Sequence, residues 1–161
     1  MHTLASVFGA VAHAVFACVS ISLVFTDVRE HRLPNRVLGY GGALTFVLLA
    51  SSALASAQWP RLWLAGMSAA VYAVCACVLW MATPGAIGAG DMNLAPIIGL
   101  VVGWWGTATA FIMTPLLLGL IGVVVGGVAL ARRRRQVAFG PVMLAACWAA
   151  VAAEAVRFSL H

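Results

Sequence analysis

From Met92 to Ala131 the chain runs for 40 residues without a charged side chain. One helical crossing of a bilayer takes about 20 apolar residues, so this run is long enough for two crossings and too long for one. Four further apolar stretches flank it. Lipid offers main-chain N–H and C=O groups no partner, so each stretch is expected to be a helix. The predicted spans are 4–25, 37–57, 62–82, 92–105, 107–130 and 140–158. Their breaks are local. Pro34 disfavours helix at Leu33, and Asn35 is expected to cap the second helix. Gln58-Trp59-Pro60-Arg61 turns the chain, Thr83-Pro84-Gly85 stops the third span, and Gly103-Trp104-Trp105-Gly106 divides the long run by a tight turn. Pro141 suits the first turn of the last helix, and Pro96 is expected near the start of the fourth.

The expected fold is therefore all-α: one polytopic membrane domain over residues 1–161, with six spans and both termini outside. Composition agrees. Hydrophobic residues make up 64% and charged residues 8%, against about 45–50% and 25% in soluble domains. Every basic residue is an arginine, and seven of the nine (Arg29, Arg32, Arg36 and Arg132–Arg135) fall in loops on one side of this topology. The positive-inside rule makes that side cytoplasmic, in the plasma (inner) membrane. Trp59, Trp63, Trp104 and Trp105 are then expected at the outer interface, where amphipathic rings prefer to sit. The basic balance reports topology rather than nucleic-acid binding, since no aromatic-plus-basic surface motif accompanies it. The N-terminus, with only His2 ahead of the apolar run, lacks the basic region of a cleavable signal peptide. Cys18, Cys75, Cys77 and Cys147 have no zinc-site spacing and are expected to be buried packing thiols. No cofactor and no metal are expected.

Against this background four acidic residues in 161 are conspicuous. A carboxylate near the bilayer centre costs about 2.5–3.5 kcal/mol on insertion scales, so function is its default explanation. Asp27 is expected to end the first helix and Asp91 to begin the fourth, both at the cytoplasmic face. Gly88 and Gly90 just ahead of Asp91 remove side chains, so that an extended chain could approach the backbone there. Two carboxylates in one site can hold a single proton between them. The ionised member then activates water as a general base while the protonated one polarises a carbonyl. No HExxH and no GxSxG motif competes.

Other readings stand beside this one. Asp91 could cap its helix, and Asp27 could pair with Arg29, Arg32 or Arg36 at an exposed surface, where such pairs contribute little. A non-enzymatic transporter or scaffold binding a cation or proton through the two acids would want them near mid-membrane, whereas these lie at an edge. Glu154 with Arg157 at i+3 is expected to be a structural pair, and the Arg132–Arg135 run a topogenic and lipid-headgroup patch.

Asp27 followed by Leu33-Pro34-Asn35, then Gly88-x-Gly90-Asp91, then Phe139-Gly140-Pro141 resemble, in order and at helix ends, the landmarks of type IV prepilin peptidases. The resemblance covers essentially the whole chain. It implies that Asp27 and Asp91 are catalytic, that Pro34, Asn35, Gly88 and Gly90 belong to the substrate-approach region, and that the partners are prepilin-like membrane precursors. In that family the short basic leader is cut at the cytoplasmic side, typically after a glycine. Presenilin-like intramembrane proteases also use GxGD, but the Leu-Pro-Asn context and six spans argue against them. Two features depart from the family pattern: Asn93 stands where many members have lysine, and neither the cysteine-rich insertion nor a tetracysteine motif of the methylating members is present. The chain therefore resembles the compact, peptidase-only form, without methyltransferase activity.

Overall fold

The computed structural model describes residues 2–30, 33–82, 88–106 and 140–160. Among them every regular element is a helix: α1 (His2–Glu30), α2 (Asn35–Ser56), α3 (Trp59–Ala82), α4 (Ala89–Trp104) and α5 (Gly140–Ser159). These correspond to the first four and the last of the predicted spans. The span predicted over 107–130 and the Arg132–Arg135 run lie outside the described residues. Four of the helices, α1, α2, α3 and α5, are long and apolar enough to cross a membrane. The shorter α4, with 16 residues, measures about 24 Å at 1.5 Å per residue.

Several helix ends differ from expectation, each for a local reason. α1 continues past Phe25 to Glu30, because nothing before Pro34 breaks it. Thr26 even turns its hydroxyl inward, donating to the Ser22 carbonyl at 2.8 Å. Asp27 thus lies in the last helical turn of α1, at the end of the helix as expected. At α2 the cap is Pro34, not Asn35. Pro34 is extended (φ −71, ψ 111), and its carbonyl accepts from the N–H groups of Val37 and Leu38 at 3.0 and 3.2 Å. Asn35 is the first helical residue, its side chain left over for other work. The chain then turns on Ala57, which adopts a left-handed conformation (φ 53). α3 starts at Trp59, since Pro60 falls in the first turn, where a missing N–H leaves no bond unmade. α4 starts at Ala89, so Asp91 is its third residue and Pro96 sits inside the helix instead of near its start; Pro96 cannot donate to the Met92 carbonyl. The expected turn after α4 is present, with Gly106 at φ +68.

Close approach of backbones holds the bundle. In α4, Gly99 and Gly103 lie against the backbone of α3: a Cβ on Gly103 would stand 2.8 Å from both Ala65 Cα and the Leu64 carbonyl, and one on Gly99 2.7 Å from the Ser68 carbonyl. This is the small-xxx-small packing that lipid-embedded helices use, dispersion contact replacing a hydrophobic driving force. α1 packs on α2 where Gly41 meets Val19 and where Ser52 donates its hydroxyl to the Ala5 carbonyl at 2.7 Å. α5 joins α1 through Trp148, which stacks on Phe16 and donates its indole N–H to Ser20 Oγ at 3.2 Å. Phe16, Leu23, Leu94, Ile98, Leu144 and Cys147 form the buried centre.

One side-chain expectation, the burial of all four cysteines, needs correction. Trp59 and Trp63 are exposed, but Trp104 is buried at 7% exposure against Ala65 and Leu100, and Trp105 is half-buried with its ring edge-on to His13. Of the cysteines only Cys147 is buried; Cys18 and Cys75 are on the outer surface of the bundle, and all four are free thiols. Glu154 does pair with Arg157, at 3.8 Å.

Candidate active site

The C-terminal end of α1 and the N-terminal ends of α2, α4 and α5 meet at one end of the bundle. There they enclose an open-sided cavity of about 260 Å³, lined by Asp27, Leu33, Asn35, Gly88, Ala89, Gly90 and Asp91. Asp27 comes from the last turns of α1 and is 5% exposed; Asp91 comes from the first turn of α4 and is half-buried. Five of the six residues singled out from the sequence therefore gather here. The sixth, Pro34, contributes by starting α2.

Both carboxylates meet the positive end of a helix. The Gly140 N–H, first in α5, donates to Asp27 Oδ2 at 3.2 Å. The Gly88 N–H donates to the Asp91 carboxylate, which reaches back from the third helical position as in a capping box. Helix N-termini carry orphan N–H donors and a partial positive charge, so both sites suit an anion. Helix capping is therefore part of what Asp91 does, and it leaves the cavity-facing edge of the carboxylate available. Asp91 precedes the apolar run of α4, and burial, then the neighbouring Asp27 carboxylate, lift it from the ordinary 3.8 to about 6 against the lowering effect of the Gly88 N–H. The Asp27 carboxylate is thus close enough to act on Asp91 through space. Arg29 lies over the Phe25 ring at 4.3 Å.

Leu33 is the packing centre of the site. A Cβ on Gly90 would fall 2.5 Å from Leu33 Cβ, and one on Gly140 would fall 3.4 Å from both Leu33 methyls and 2.8 Å from Asp27 Oδ2. The room left by Gly90 is therefore taken by Leu33, while Gly88, exposed at the rim, meets only Asp91. Sequence reasoning treated Leu33 as a neighbour of a helix break and gave Gly140 no role. Their recurrence in two of the landmark triplets was the available signal. Asn93, also given no role, donates its side-chain N–H to Asn35 Oδ1 at 3.4 Å. Among the described residues no three His, Cys, Asp or Glu side chains come together as a metal set.

A family model for type IV leader peptidases matches residues 14–126, about two thirds of the chain. The chain belongs to that family. Membership in the type IV leader peptidase family brings with it a peptidase function of the leader-peptidase kind. The matched segment holds Asp27, Leu33, Asn35, Gly88, Gly90 and Asp91, whereas Gly140 lies beyond it. No curated protein and no solved structure gives a significant match.

Proposed function

We propose that the protein is a membrane aspartic endopeptidase that removes the short leader of prepilin-like precursors at the cytoplasmic face of the plasma membrane. The observation that carries this reading is that α1 and α4 bring two carboxylates to one cavity. The ionised carboxylate takes a proton from water, and the hydroxide so formed adds to the scissile carbonyl. The protonated partner gives its proton to the carbonyl oxygen, making a neutral diol whose collapse expels the amine. Asp27 and Asp91 perform these steps together. The apolar stem of a precursor lies among the helices, and its leader lies in the headgroup layer. An open-sided cavity suits a chain passing through better than an enclosed one would. Arg29 and Arg36 share this end of the bundle with the cavity, and Arg61 and Arg157 start and end helices at the other, which supports the cytoplasmic assignment.

The enzyme cleaves without methylating the new N-terminus. None of the cytoplasmic connections between the predicted spans, 26–36, 83–91 and 132–140, is long enough to fold a separate methyl-donor domain, for which about 50 residues is the usual lower limit. The test is co-expression with a prepilin-like precursor, following leader loss on a gel and the processed end by mass spectrometry. Asp27→Asn and Asp91→Asn should each insert normally and lose cleavage by at least about 10³-fold, because members of a catalytic unit fail together. Turnover near wild type in either variant removes the pair from the mechanism, and a methylated amine made by purified protein with a methyl donor would show a second active site.

A further inference from the structure

The Asn35–Asn93 contact joins the first residue of α2 to the second turn of α4 across 58 positions of sequence. At 3.4 Å, between two exposed side chains, it is long for a hydrogen bond, and an exposed neutral bond adds at most about 1 kcal/mol to stability. Its use is therefore not to hold the helices together. What it does is orient an amide. With Asn93 as the donor, Asn35 offers its oxygen to Asn93 and keeps both N–H donors of its NH₂ group for other partners. Asn35 lines the cavity that Asp27 and Asp91 share, whereas Asn93, two residues beyond Asp91, lies on a different face of α4.

We propose that Asn93 is a positioning residue that fixes the Asn35 amide with its N–H donors toward the cavity, where Asn35 binds a main-chain carbonyl of the substrate beside the scissile bond. The cavity then presents acids on one wall and neutral donors on another. This pairing recognises an extended peptide by its backbone, which every precursor shares, rather than by a particular side chain. An acceptor in place of the Asn35 NH₂ would face the substrate carbonyl with like polarity. The proposal rests on the leader-peptidase reading above and adds to it the part played by two side chains outside the acid pair.

The experiment measures kcat and KM for precursor cleavage by the reconstituted full-length chain. Asn93→Leu, which cannot donate, should raise KM by about fivefold, the loss of one neutral hydrogen bond, with kcat and thermal unfolding unchanged. Asn93→Gln, which keeps the donor, should restore most of the loss. Asn35→Leu should raise KM as much as or more than Asn93→Leu, and the double variant should be no worse than Asn35→Leu alone, because the two act in series. Wild-type KM in Asn93→Leu, a change confined to kcat, or additive losses in the double variant each overturn the proposal while leaving the peptidase reading intact. Wild-type protein that cleaves no prepilin-like precursor, or cleaves equally well as Asp27→Asn, overturns both.

Discussion

Replacing Gly140 by alanine isolates the contact between α5 and Asp27. The added methyl would stand 2.8 Å from Asp27 Oδ2, a separation Cβ atoms do not tolerate. Reaching an ordinary contact of 3.4 Å requires the carboxylate or the start of α5 to move by about 0.6 Å, since overpacked sites relieve strain by local shifts costing about 1–3 kcal/mol. The Gly140 N–H already donates over 3.2 Å, so a recoil of that size opens it past hydrogen-bond range. Bonds to charged groups contribute about 1.5–3 kcal/mol, and displacing a reacting group by about 1 Å costs about 10²-fold in rate. Gly140→Ala should therefore lower kcat for leader removal by about tenfold or more, with KM little changed because Gly140 makes no proposed substrate contact. The assay is single-turnover cleavage in proteoliposomes, run beside Gly66→Ala. Gly66 has open space around its Cβ position, and that variant should retain wild-type kcat. Cleavage by Gly140→Ala within about twofold of wild type would show that Asp27 does not depend on the start of α5, and the positioning argument would fail.

Two further outcomes are expected. Gly103→Ala forces a methyl against Ala65 Cα and the Leu64 carbonyl at 2.8 Å, backbone that cannot rotate away; thermal unfolding in detergent should show a loss of about 1–3 kcal/mol, and an unchanged midpoint would mean that α3 and α4 separate without cost. The coupled pair should show a protonated-carboxyl infrared band that titrates out as pH rises through about 6. Asp27→Asn removes the like charge that raises Asp91, so the transition should move to lower pH; a midpoint unmoved by that substitution would assign the shift to burial alone.

The helices were legible because lipid leaves the main chain no alternative, and Pro34, Pro60 and Pro141 marked the starts of α2, α3 and α5 to within a few residues. The errors share a cause. α1 runs beyond the apolar span 4–25 because helices stop where the backbone is obstructed, and Thr26 to Glu30 present no obstruction. Asn35 was expected to cap α2 by residue preference, but the extended backbone of Pro34 already supplied the cap. Asp27 and Asp91 were legible for an energetic reason: charge is rare and costly in so apolar a chain. Leu33, Gly140 and Asn93 were not, because each acts through a contact with a distant segment. No local pattern encodes that Leu33 fills the space left by Gly90, or that Gly140 donates to a residue 113 positions earlier.

That separation along the chain orders the enzyme's biogenesis. At about 5–20 residues per second, the ribosome adds Gly140, 113 positions on, roughly 6 to 23 seconds after Asp27. Until α5 inserts, Asp27 has its carboxylate but not the amide that aims it, and Leu33 lacks one of the surfaces it packs against. The candidate site is therefore completed only when a segment made well after Asp27 reaches the bundle and brings the Gly140 N–H to its carboxylate.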